Sequence, residues 1–135
     1  MKKEPWPRVL LADDEPDILQ VVLLLVEDLY PQAEVRTARD GEQAMRHLAS
    51  FRPHLLITDF RMPEYDGLDL CRRIAADHNL EDTKVLGLSA YATRRDMAAF
   101  FRNGAAEFIR KPFDSHTLKM TVRRMLGERP LTASV

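Results

Sequence analysis

The chain has 135 residues, 20 of them basic and 21 acidic, for a formal net charge of −1. That length suits one domain with a sizeable buried core, and the near-balance of charge gives no nucleic-acid footprint. A single cysteine, Cys71, excludes an internal disulfide and fits a reducing cytoplasm; the longest apolar run, Val21 to Val26, is far too short to span a bilayer, and the lysines near the N-terminus lack the apolar stretch of a signal peptide.

Residues 1–7 read as an N-terminal arm, 8–126 as one domain and 127–135 as a tail or the start of a linker. Arg8 to Ala12 carries Val9-Leu10-Leu11, a short buried strand. Asp13-Asp14-Glu15 follows, and Pro16 suits the first turn of a helix reaching about Tyr30. A helical wheel puts Ile18, Val21, Val22, Leu25 and Leu29 on one face, the face expected to meet a sheet. Leu19 and Leu23 fall outside that arc, one turn apart from each other. Glu34 to Ala38 predicts a second strand. Asp40-Gly41-Glu42-Gln43 has the spacing of a helix start, and the helix Gln43 to Phe51 is expected to bury Ala44, Leu48 and Phe51.

His54-Leu55-Leu56-Ile57-Thr58-Asp59 reads as a strand buried on both faces, stopped by Met62-Pro63. A helix from Leu68 to Asp77 follows, with Leu70, Ile74 and Ala75 inward. Lys84 to Ser89 is a fourth strand, weakened by Gly87, and Arg94 to Asn103 a fourth helix ending at Gly104. Glu107 to Arg110 is a fifth strand, broken by Lys111-Pro112, and Asp114 caps a last helix to about Leu126. Five alternations of strand and helix with short links predict an α/β, doubly wound parallel sheet.

Four of those strands end in polar groups: Asp13-Asp14, Asp59, Ser89 and Lys111. In an open parallel sheet, ligands collect at the carboxyl ends of the strands. Taken singly, Asp59 could cap a turn, and Asp13-Asp14-Glu15 could be ordinary acids at a helix N-terminus. If the strands are parallel neighbours, three carboxylates converge and repel, which a hard divalent cation such as Mg2+ would relieve. Lys111 can bind an anion and Ser89 can donate a hydroxyl proton. With a metal and a carboxylate, these are the parts needed to move a phosphoryl group onto the carboxylate.

From Arg8 to Leu126 the chain resembles the receiver domain of bacterial two-component response regulators, including the chemotaxis regulators. The resemblance rests on LLADDEP, LLITDFRMPEYDG, VLGLSA and FIRKPF. It implies a flavodoxin-like fold with strand order 2-1-3-4-5 and Asp59 as phosphoacceptor. It also implies Mg2+ held by Asp14 and Asp59, by Asp13 through water, and by the backbone carbonyl of Arg61. Ser89 would be the switch hydroxyl, Phe108 the switch aromatic, Lys111 the phosphate-binding lysine, and the Lys111–Pro112 bond cis. The implied partners are a histidine kinase or histidine phosphotransfer protein, with an output domain or a second copy meeting the face of helix 4, strand 5 and helix 5. Leu19 and Leu23, beside Asp14, are expected to anchor the phosphodonor. Arg61 and Phe108 depart from the commoner small residue and tyrosine. The rival readings are a degenerate, constitutive docking receiver and a haloacid-dehalogenase-like phosphatase. The phosphatase expects an acid two residues after its nucleophile, where this chain has Arg61.

Overall fold

Short apolar runs alternate with longer segments of helical period, and the chain folds accordingly. The computed structural model describes residues 7–127, so the expected arm and tail lie outside the described residues but for Pro7 and Gly127. The elements are β1 (Arg8–Ala12), α1 (Pro16–Leu29), β2 (Glu34–Ala38), α2 (Gly41–Phe51), β3 (Leu55–Asp59), α3 (Gly67–Ala76), β4 (Lys84–Ser89), α4 (Arg94–Arg102), β5 (Glu107–Arg110) and α5 (Ser115–Leu126), with a single 3-10 turn at His78–Leu80. Among them no helix is long and apolar enough to cross a membrane.

The strands form one sheet in the order β2-β1-β3-β4-β5, every neighbouring pair parallel. Side chains alternate across it. Val9, Leu11, Leu55, Ile57, Leu86, Leu88 and Ile109 join the core under α1 and α5. Leu10, Ala12, Leu56 and Val85 join the core under α2, α3 and α4. Both faces are covered, as an all-parallel sheet requires.

Local chemistry sets where the helices begin. The Asp40 carboxylate accepts the Gln43 N–H at 2.8 Å, and the Gln43 side chain accepts the Arg39 N–H at 3.0 Å. These bonds start α2 at Gly41, earlier than the expected Gln43. Reciprocal caps hold α3 through Asp66 and Asp69, and α4 through Thr93 and Asp96. In α3 the inward face is Leu70, Cys71 and Ile74, while Ala75 is exposed. Gly87 has a packing reason: a Cβ there would lie 2.1 Å from the ring of Phe100. Its absence lets that fully buried ring lie on the sheet, edge-on to Phe60 and Phe108 at centroid distances of 5.5 and 6.1 Å.

Helix α1 corrects the wheel. Its buried residues are Leu19, Val22 and Val26, whereas Val21 is 44 % exposed. The helix is rolled by roughly 70° from the expected face, judged by the helical repeat. Leu19 therefore belongs to the core, Leu23 is half-buried against the same cluster, and both line a shallow surface pocket with Gln20 and Arg39. Apolar residues cover most of the circumference of α1, and its contact with α5 decides which of them face the sheet.

Candidate functional site

Parallel register brings the ends of β1, β3 and β4 level, and the segments that follow carry the polar side chains to one rim. Asp13 leaves β1 with its N–H bonded to the Ala38 carbonyl at 3.1 Å, and its Oδ1 accepts the Glu15 N–H at 2.9 Å. Asp59 is the last residue of β3 and is 7 % exposed; Ser89 is the last residue of β4 and is 3 % exposed. Lys111 follows β5 with its side chain mostly buried and its peptide bond to Pro112 cis. Asp59, Ser89 and Lys111 border a cleft of about 440 Å³, together with Asp14, Glu15, Arg61 and Tyr91.

The acids are crowded. One carboxylate oxygen from each of Asp13, Asp14 and Asp59 lies within 4.8 Å of the others. Burial, then the charge of Asp13, pushes the Asp59 carboxyl up to about 6, against a partial offset from Lys111. Burial also raises Asp13, although the close approach of Lys111 and the hydrogen bond from the Glu15 N–H pull the other way. Lys111 is the counter-charge: its Nζ lies 2.7 Å from Glu15 Oε1, 2.9 Å from Asp13 Oδ2 and 3.6 Å from Asp59 Oδ2. Burial alone would lower the Lys111 pKa, but these anions raise it.

The donor set fits a hard cation. Asp13 Oδ2 is buried and, despite its closeness to Lys111, has no well-directed hydrogen bond. It stands beside two further carboxylates with only oxygens on offer, the ligand chemistry of Mg2+.

The structure brings Asp13, Asp14, Asp59, Ser89 and Lys111 together, with Arg61 also bordering the cleft, and it places Phe108, the Arg61 guanidinium and Leu19 in other contacts. Phe108 is half-buried and packs edge-on against Phe100 rather than bordering the cleft. The Arg61 guanidinium turns to Asp96 at 3.3 Å and lies near the Phe60 ring, its centre 5.8 Å from the ring centroid. Leu19 is in the core. Two residues were missed by sequence reasoning. Glu15 takes the shortest contact of Lys111, and the only signal was its place directly after Asp13-Asp14. Asp96 receives Arg61, but its spacing from Thr93 signals only a helix cap.

Known proteins match this arrangement. The family model for the response regulator receiver domain covers residues 9–123. The DNA-binding dual master transcriptional regulator RpaA of Synechocystis is 32 % identical over 120 residues, which is 89 % of this chain and 49 % of that protein. The chain thus spans about half the length of that relative. A response regulator structure from Chloroflexus aurantiacus superposes with a TM-score of 0.81 at 28 % identity, covering 93 % of this chain and all of the other. The receiver domain of a sensor histidine kinase from Pseudomonas aeruginosa has a TM-score of 0.79 at 27 % identity over 91 % of this chain and 99 % of its own, and was solved with a magnesium ion coordinated in its active site cleft. Strand order, the acids at the strand ends and these matches agree: the chain belongs to the response regulator receiver domain family, whose members act as signalling switches phosphorylated on an aspartate.

Proposed function

We propose that Asp59 is the phosphoacceptor of this receiver, taking its phosphoryl group from a phosphohistidine on a cytoplasmic histidine kinase or phosphotransfer protein. The observation that carries this is a nearly buried carboxylate at the end of β3 with Lys111 Nζ at 3.6 Å and two further acids alongside. With its pKa near 6, Asp59 is largely ionised at neutral pH and able to attack. An Asp59 oxygen forms the bond to phosphorus while the bond to the partner's imidazole nitrogen breaks, and the imidazole leaves carrying a proton. Lys111 supplies a positive charge to the transferring oxygens.

Asp13, Asp14, Asp59 and the backbone carbonyl of Arg61 are proposed to hold Mg2+. When bound, the ion neutralises the acceptor and the incoming oxygens. The product is a changed surface rather than a released compound. The phosphoryl group carries about −1.5 to −2 charges, in place of the single charge of the carboxylate it caps. Ser89, whose Oγ now accepts the Tyr91 N–H at 3.2 Å, is the hydroxyl proposed to move to the new oxygens. Phe108, half-buried beside Phe100, can repack in response and alter the α4–β5–α5 face. That face exposes Phe101 and Met120, which suits contact with an output domain or a second copy.

Acetyl phosphate with Mg2+ tests the assignment. One acid-labile, hydroxylamine-sensitive phosphoryl group per chain is expected on the wild type and none on Asp59→Asn. Labelling of that variant at the wild-type rate refutes Asp59 as acceptor.

A further inference from the structure

We propose that Arg61 is shared between two anions, the Asp96 carboxylate and the phosphoryl group on Asp59, and so couples acceptor occupancy to the position of α4. The inference rests on Asp59 being the acceptor. Arg61 borders the acceptor cleft, yet its guanidinium sits 3.3 Å from Asp96 Oδ2 in the first turn of α4. That same oxygen accepts the Thr93 N–H at 3.0 Å, the bond that closes the α4 cap. Arg61 thus ties the loop after β3 to the start of α4, bridging 35 residues of sequence.

A second hold acts on the same segment. Ser89 Oγ accepts the Tyr91 N–H, so the link between β4 and α4 is pinned at its start by Ser89 and at its end by Arg61 through Asp96. Both pinning groups belong to residues bordering the cleft.

The two anions differ in strength. The Arg61 side chain is 63 % exposed and that of Asp96 24 %, and an exposed ion pair of this kind is weak. A phosphoryl group on Asp59 brings more charge and three strong acceptor oxygens into the cleft that Arg61 borders. Phosphorylation therefore draws Arg61 off Asp96 and frees the N-terminus of α4 from the acceptor loop. Arg61 in its new place covers the phosphoryl group and slows attack by water. Asp96 acts through Arg61 and is a positioning residue.

Competition for one guanidinium makes a signed, reciprocal prediction. After acetyl phosphate has loaded one phosphoryl group per chain, confirmed by intact mass, its decay is followed in four proteins: wild type, Arg61→Ala, Asp96→Asn and the double variant. Asparagine keeps a side-chain oxygen for the Thr93 cap and removes the charge. Arg61→Ala should shorten the lifetime. Asp96→Asn should lengthen it by up to about fivefold, the range open to an exposed ion pair. In the Arg61→Ala background, Asp96→Asn should do nothing. As a readout apart from decay, the Thr93 amide should exchange faster on adding beryllofluoride and Mg2+ to the wild type, and should already be fast in Arg61→Ala. Shifts of equal sign, or an Asp96→Asn effect that persists without Arg61, overturn the coupling while leaving Asp59 as acceptor. Failure of any adduct to form on Asp59 overturns both.

Discussion

The two ends of the sheet use similar side chains to opposite effect. At the amino ends of the strands, cations meet the carbonyls that helices leave unpaired. Arg8 bonds the Phe51 and Arg52 carbonyls at the end of α2, and Lys84 Nζ bonds the Met125 carbonyl near the end of α5 at 3.0 Å. Arg124 pairs with Glu107 on the surface. At the carboxyl ends, Asp13, Asp14, Asp59 and Glu15 gather around one buried lysine. The first end satisfies its charges, whereas the second stores repulsion that a ligand can release. Proteins tolerate such local conflict mainly at functional sites.

Removing the buried lysine at the crowded end should have the largest effect on that contrast. Lys111→Met should destabilise the metal-free protein by about 3 kcal/mol or more at pH 8, since it leaves buried acids without a counter-charge. The loss should shrink toward pH 4 as the acids protonate. Urea unfolding at both pH values measures it, and an equal loss at both would mean that Lys111 matters for packing alone.

Removing an acid should do the reverse. Asp59 has a folded pKa of about 6, above its ordinary 3.8. A raised carboxyl favours the folded state when protonated, so that contribution is present below pH 4 and is lost as pH rises through 6. Asp59→Asn should therefore stabilise the metal-free protein by up to about 3 kcal/mol at pH 8 and hardly at all at pH 4. A pH-independent change would remove charge crowding as the cause.

Mg2+ should sharpen the comparison from the ligand's side. It should raise the wild-type melting temperature at pH 8, where the acids are ionised, and less at pH 5. Asp14→Asn should weaken the response. Equal melting curves with Mg2+ and with EDTA would count against the metal assignment.

The smallest effect belongs to the satisfied end. Lys84→Met loses one partly exposed hydrogen bond to a carbonyl and should cost about 1 kcal/mol, with little change from pH 5 to pH 8. A steep pH dependence there would erase the distinction between the ends.

Much of this protein was legible because its signals are local. Strands of four to six residues ending in Asp59 or Ser89, and the end of β5 before Lys111-Pro112, follow from side-chain periodicity and proline geometry within a few residues. Right-handed crossovers then leave few ways to order five parallel strands, so the gathering of Asp13, Asp14, Asp59, Ser89 and Lys111 could be foreseen. The roll of α1 could not. With apolar residues around most of that helix, burial of Leu19 and exposure of Val21 and Leu24 depended on how α1 met the sheet and α5. The partners of the two cations were equally hidden. Glu15 lies 96 residues from Lys111, and Asp96 lies 35 from Arg61. Charges attract without regard to sequence spacing, and among many exposed acids only the folded backbone decides which comes within reach.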